Sequence, residues 1–403
     1  MTVFRDGVEF NTFVLPHTFM RQDPDLVIAE LQTAGLTGFN LAFNYHSSRD
    51  FLIRQGPQME YLSEGFHYYL PNFDLYPKGA LVPSRNCFYK DNKLLESITS
   101  ASQQANFKMN AWCVFLHNFA IGSKNKSATI TNIYGNHFLS ELCPSNPSVR
   151  KYVLGLTRDI CSRNIKTLLI ESVRFHGLNH GEHHERFFLN MSEITEFLLY
   201  LCFCKSCTNN FENGDAEKLK TQVKNYLDKF LRGSDVLLNK ELSIQSLEEI
   251  LGLEISAYLK SRDKTVTSLY SEIKEIAKEY GVQIQFLDPS IAFDVDSSNP
   301  LENAWRSGHD ALAISEIIDI FEPIFFDVGA PRINELVSYF RRSLSGRLGA
   351  AVSPLYPYVL NQSDFRDKVH ALLDCEVRQL DFYLLDVMRR RDLQWISDSI
   401  LTY

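Results

Sequence analysis

Three thiols, Cys202, Cys204 and Cys207, fall within the six residues Cys-Phe-Cys-Lys-Ser-Cys of a 403-residue chain that has only eight cysteines. A Cys-x-Cys-x-x-Cys run brings three soft sulfur donors to one ion, and a tetrahedral structural zinc wants a fourth. Cys143, in Glu141-Leu-Cys-Pro-Ser-Asn-Pro147, is the candidate for that place, against the alternative of unligated thiols or reversible disulfides. Glu171 ends the apolar run Leu168-Leu-Ile170 and is followed closely by Arg174 and His176. A carboxylate so placed is either a strand-end partner of Arg174 or a general acid or base oriented by those two side chains. His180-Gly-Glu-His183-His184-Glu185 crowds three imidazoles and two carboxylates together. The cluster suits a metal or a proton shuttle if it lines a pocket, and is a solvated turn if it does not.

The elements that must hold these groups are short apolar runs rich in β-branched and aromatic residues. They are Thr12–Pro16, Gly38–Phe43, Lys108–Phe115, Lys166–Ile170, Val282–Phe286, Pro323–Phe326, Gly346–Val352 and Leu380–Leu384. Helical patterns lie between them, at Asp25–Ala34, Asn92–Ala105, Pro147–Arg163, Ala216–Tyr280, Ala313–Phe321, Ile333–Leu344 and Asp364–Cys375. Eight strands alternating with helices imply a parallel sheet, closed at this length as a (β/α)8 TIM barrel with helical insertions. An open doubly wound sheet would show a Gly-x-Gly-x-x-Gly turn after its first strand, where the chain reads Pro16-His17 instead. The expected organisation is a single barrel domain over 1–403, with a helical insertion at 208–281 broken near Gly233-Ser234-Asp235.

Charge and composition narrow the partners. The net charge of −8 mixes both signs along the chain, without the basic stripe that a phosphate backbone requires, so no nucleic acid is expected. The N-terminal residues lack a signal-peptide pattern and no window holds about 18 consecutive apolar residues, so no membrane span is expected and the chain reads as soluble. Cys87, Cys113, Cys161 and Cys375 stand in apolar text as buried free thiols, which suits a reducing compartment, most simply the cytoplasm. The oligomeric state is open, a homo-oligomer included.

In a barrel of this kind chemistry sits at the carboxyl ends of the strands. Those positions carry His17, Asn44-Tyr45-His46, His117-Asn118, Glu171, Asp288, Asp327 and Asp386. Tyr45, Tyr68, Tyr69, Tyr89, Trp305 and Tyr356 offer stacking faces for a sugar, or are packing in a chain with 18 tyrosines and 29 phenylalanines.

The Cys143-Pro-Ser-Asn-Pro147 loop, the Cys202-Phe-Cys-Lys-Ser-Cys207 run and Glu171 between them resemble the zinc loop of family 42 glycoside hydrolases, β-galactosidases on a (β/α)8 barrel. The order Tyr45-His46, Trp112 to Asn118, Leu142 to Pro147, Glu171, His183 to Glu185 and Cys202 to Cys207 is similar to a broader group of glycosyl-hydrolase-like barrel proteins. The resemblance covers about residues 38 to 210. It implies structural zinc on Cys143, Cys202, Cys204 and Cys207, Glu171 as acid/base after the fourth strand, and a carbohydrate substrate held near Tyr45, His46, His117, Asn118, Arg174, His176, His183, His184 and Glu185. It also implies a nucleophilic acid after the seventh strand, yet Leu348-Gly-Ala-Ala-Val-Ser-Pro-Leu-Tyr356 has none. Asp288 and Asp327 are therefore the candidates for the second carboxylate of a glycosidase. Two other functions fit the same residues: a divalent-metal sugar isomerase or lyase using His46, His117, Glu171, Asp288 and Asp327, and a carbohydrate-binding barrel without catalysis.

Overall fold

The computed structural model describes residues 7–54, 56–85, 89–179, 186–211, 214–233 and 240–403. Eight strand positions form one parallel barrel: β1 Glu9–Val14, β2 Gly38–Ala42, β3 Lys108–Val114, β4 Thr167–Glu171, β5 Gln283–Asp288, β6 Ile320–Pro323, β7 in two pieces (Arg347–Leu348 and Ala350–Val352), and β8 Gln379–Phe382. Each pairs with its sequence neighbour, and β8 pairs with β1 through Asn11 opposite Asp381. The ring meets at Gly349: the first piece of β7 pairs with β6, the second with β8, and a bridge from Ile324 to Ala351 spans the joint. Burial on both faces explains why these runs do not alternate between apolar and solvent-facing residues.

Helices Pro24–Thr33, Lys93–Gln104, Pro147–Cys161, Glu254–Glu279, Ala330–Ser343 and Gln362–Asp374 cover the outside. The Asn146-Pro147 signal works as a helix start, with the Asn146 side chain accepting from the Ser148 and Val149 N–H groups. The long helical stretch resolves into Ala216–Leu231, Ile244–Leu251 and Glu254–Glu279, the first ending just before Gly233 at φ +82°. Cys113 and Cys161 are buried, Cys375 is only half-buried, and Cys87 lies outside the described residues.

The sixth strand differs from expectation: it runs Ile320–Pro323 and not Pro323–Phe326, and the helix before it is only Ala311–Ser315. The cause is Glu322, a fully buried acid inside the strand that interrupts the apolar run on which the pattern depends. Its neighbours form a polar floor inside the barrel. Asp381 accepts from the side-chain amides of Asn11 (2.7 Å), Asn40 (2.9 Å), Gln285 (2.7 Å) and Gln379 (3.1 Å), and Gln285 also donates to Glu322 at 2.6 Å. Two residues further along the strands Phe13, Ala42, Trp112 and Tyr383 join an apolar layer with Leu169 and Ala351, which separates this floor from the carboxyl-end mouth.

Burial, then the charge and hydrogen bond of Asp381, raise the Glu322 pKa well above 4.5 and outweigh the Gln285 amide. The unfolded chain therefore releases this proton from about pH 4.5 while the folded chain keeps it, so this residue subtracts stability as pH rises above 4.5. Glu322→Gln keeps the shape and does not titrate. Its melting temperature should exceed that of the native chain at pH 8 and converge with it toward pH 4. Parallel melting curves across that range would show that Glu322 is not held protonated.

Candidate active site

Glu171 is the last residue of β4 and projects into the carboxyl-end mouth of the barrel. Its Oε1 lies 2.7 Å from His46 Nε2, and its Oε2 accepts from Trp112 Nε1 at 2.6 Å. His46 comes from the loop after β2 and Trp112 from β3, so two adjacent strands fix both carboxylate oxygens. The chain turns sharply just beyond, at Ser172 with φ +63°, a left-handed conformation that a serine adopts at a cost. Burial raises the Glu171 pKa, but His46, the Trp112 hydrogen bond and the Arg174 charge outweigh it and hold the pKa below its ordinary value. The group therefore rests as a carboxylate. That direction is the opposite of what a proton donor needs.

Behind this pair is a buried imidazole–carboxylate network. The His46 and His117 rings lie 4.7 Å apart; His117 Nδ1 is 3.1 Å from Glu64, its Nε2 is 3.3 Å from Glu141, and the other oxygen of Glu141 contacts His176 Nδ1. Burial lowers His117 to about 3, helped by His46, so it is neutral. Burial raises Glu64 to about 7, against the Phe119 N–H and His46. Arg174 is held within the field of both Glu141 and Glu171.

The other candidates are placed differently. Asn118 is fully buried, caps the short helix Phe119–Gly122 and donates to Tyr152, so it shapes the loop behind the site. Asn44 grips the Val114 backbone through both ends of its amide. Asp288 shares strand alternation with Phe286 on the outer side of β5; it is fully buried against Ser290, and burial raises it to about 7 despite that hydroxyl and Arg174. Asp327 is exposed in the turn after β6, whose Phe325 and Phe326 carbonyls accept from Lys368 at 3.3 and 2.8 Å. His183, His184 and Glu185 lie outside the described residues. Tyr68, Tyr69 and Tyr89 are buried packing, Trp305 packs on Phe197, and Tyr356 is exposed. Tyr45 does face the mouth, with its hydroxyl 2.7 Å from that of Tyr383, the residue after β8.

Trp112, Tyr383, Glu64 and Glu141 were not recognisable as site residues from sequence. Trp112 sits at an inward position of β3 and Tyr383 immediately follows β8, a signal that alternation holds once the register is known. Glu64 stands in an irregular loop, and Glu141 in the short strand His137–Leu142, outside the barrel sheet.

The four cysteines converge. Cys143 Sγ lies 3.6 Å from Cys204, 3.4 Å from Cys207 and 4.0 Å from Cys202, too far apart for disulfides. All four sulfurs fall within 4.8 Å of one another, the one group among the described residues that could hold a metal ion. Hydrogen bonds from Cys143, Cys202 and Cys207 depress the Cys204 pKa, while those from Cys202, Cys204 and Cys207 push Cys143 up. One thiolate is accommodated and further ones repel, so only a cation would let all four ionise.

No helix among the described residues is long and apolar enough to cross a membrane. No family model matches the chain, and no curated protein does. Solved structures do match. The catalytic domain of a β-amylase from Paenibacillus polymyxa gives a TM-score of 0.59 at 10% identity, covering 99% of this chain and 99% of that one. A β-galactosidase from the psychrophilic Marinomonas ef1 gives 0.56 at 8% identity, covering 96% of this chain and 58% of that one. A polyextremophilic β-galactosidase from the Antarctic haloarchaeon Halorubrum lacusprofundi gives 0.58 at 9%, covering 98% and 57%. The chain thus spans a little over half the length of these two β-galactosidases. At such identities the likeness is one of fold, and the chain has the (β/α)8 barrel architecture of those glycoside hydrolases.

Proposed function

We propose that the chain is a glycoside hydrolase-like enzyme that cleaves a glycosidic bond in an oligosaccharide or glycoside, with Glu171 as its central carboxylate. The observation that carries this is the clamp on Glu171, whose two oxygens are held by His46 and Trp112 at the mouth of the barrel. A carboxylate kept ionised there can take a proton from water attacking the anomeric carbon; a second, protonated carboxyl must then deliver a proton to the leaving oxygen. Tyr45 and Tyr383, half-buried above the fully buried Trp112, supply the aromatic surface against which a sugar ring stacks. Among the described residues no three of His46, His117, Glu171, Asp288 and Asp327 converge as ligands of one ion, which disfavours the metal-isomerase alternative.

The ion we propose for the cysteines is structural zinc. A tetrahedron with Zn–S bonds of about 2.3 Å sets its sulfurs about 3.8 Å apart. The separations from Cys143, 3.4 to 4.0 Å, bracket that value. Four unpaired thiols of this kind persist in a reducing compartment such as the cytoplasm.

Incubation with a panel of oligosaccharides and of aryl glycosides, with products detected by mass, tests the activity. New reducing ends or released phenol are expected. Binding without any product would make the chain a carbohydrate-binding barrel. Activity abolished by mild chelation and restored by a divalent ion would move the chemistry to a metal.

A further inference from the structure

The geometry points to Asp50 as the proton donor that works with Glu171, in place of the acid missing from β7; this rests on the glycosidase function proposed above. Directly after Tyr45-His46 the chain forms an antiparallel hairpin, Ser48–Leu52 with Gln58–Leu62. Its alternation turns Ser48, Asp50, Leu52, Glu60 and Leu62 toward the barrel and leaves Arg49, Phe51, Met59 and Tyr61 exposed. Asp50 is thus a half-buried acid on the inner face of a flap carried by the loop after β2, one of the loops that build the mouth.

What Asp50 faces is fixed by the Tyr45–Tyr383 hydroxyl pair. The two hydroxyls, 2.7 Å apart, come from the segments that follow β2 and β8, the strands on either side of β1, and the fields of both Glu171 and Asp50 reach each of them. Both hydroxyls are therefore near both carboxyl groups, and a glycosidic oxygen beside them could be held by phenol hydrogen bonds.

The surroundings of the two acids differ in sign. Glu171 is clamped by His46 and Trp112. Asp50 stands directly opposite Glu60 on the hairpin, and Glu60 is already engaged by Arg21 at 2.6 Å. Asp50 is left with the Ser48 hydroxyl at 3.0 Å, and burial, against that hydroxyl and with the Glu60 charge, raises its pKa. One carboxyl is biased toward its acid form and the other toward its base form, the division of labour that two-carboxylate hydrolysis needs.

In the step so assigned, the Asp50 carboxyl gives its proton to the glycosidic oxygen as the bond from that oxygen to the anomeric carbon breaks. The oxygen of a water bonds to the anomeric carbon, and Glu171 takes the proton that this water loses. The products are a reducing sugar and an alcohol. Asp50 ends ionised and Glu171 protonated, and exchange with solvent restores both.

The test compares Asp50→Asn with the native chain on phenyl and 4-nitrophenyl glycosides and on an oligosaccharide that the native chain cleaves. The expected result is a loss of about two to four orders of magnitude on the oligosaccharide and a much smaller loss on the 4-nitrophenyl substrate, whose leaving group needs little protonation. A melting temperature matching the native one excludes misfolding. Glu60→Gln is the second variant: without the neighbouring anion Asp50 ionises more readily, so the alkaline limb of kcat/KM should move to lower pH. Near-native activity of Asp50→Asn on the oligosaccharide, or an equal loss on all substrates, overturns the assignment. If the native chain releases product from no substrate, the glycosidase function itself fails, a separate outcome.

Discussion

Glu171→Gln should lower turnover by about two to four orders of magnitude on aryl and natural glycosides alike, with substrate binding retained. The amide keeps the shape of the clamp, accepting from Trp112 and donating to His46, but it cannot take a proton from water. Because that water is remote from the leaving group, a good leaving group brings no relief, unlike the asymmetry expected at Asp50. The sign of the pH effect follows from the carboxylate's surroundings. Glu171 is needed ionised, and His46 helps to hold its pKa down against burial. His46→Gln should therefore shift the acid limb of kcat/KM to higher pH, while the alkaline limb stays in place. Initial rates across pH on the two substrate types check both statements. Unchanged turnover in Glu171→Gln would remove it from the mechanism, and a loss confined to poor leaving groups would return to it the donor role expected from the sequence.

The legible part of this protein is what local pattern records. Runs such as Lys108–Val114 and Thr167–Glu171 announce strands because both faces are buried, and an acid ending such a run is visible as Glu171. The cysteine spacing is visible because ligand chemistry restricts it. Partnership across the barrel is not local. Nothing near Trp112 says that its indole N–H meets Glu171, since that contact depends on the register of β3 against β4, Trp112 opposite Leu169. Glu64 reaches His117 from a loop and Glu141 from the short strand His137–Leu142, and tertiary packing decides that the three meet. Glu322 misled because a carboxylate inside a strand looks like a strand end until Gln285 and Asp381 are seen beside it. Asp50 escaped because alternation in a short polar hairpin carries little apolar contrast from which to read its inner face.

Pure protein prepared under reducing conditions should carry one zinc per chain. Removing the metal, or replacing Cys204 with Ser, should lower the melting temperature by about 10 °C. The magnitude follows from what the cluster joins. Cys143 closes the strand His137–Leu142, while Cys202, Cys204 and Cys207 belong to a segment some sixty residues further on, about 59 positions from Cys143 to Cys202. Without an ion, four sulfurs gathered in a buried pocket can ionise only by repelling one another, so the pocket must expand or stay protonated. The knot also backs the active site at short range: Glu141 is two residues before Cys143, and Tyr200, whose hydroxyl accepts from the His176 backbone N–H at 3.1 Å, is two before Cys202. Even so, none of the four sulfurs reaches Glu171, His46 or Trp112. Turnover measured well below the melting transition should therefore fall by less than about tenfold, because a closed tetrahedral site carries folding energy and leaves no position open for substrate. Metal analysis, thermal melting and initial rates on the same preparations separate the outcomes. Metal-free protein with an unaltered melting temperature, or a disulfide among the four cysteines, would rule out a structural ion; loss of turnover that outruns loss of stability would place the ion in the chemistry.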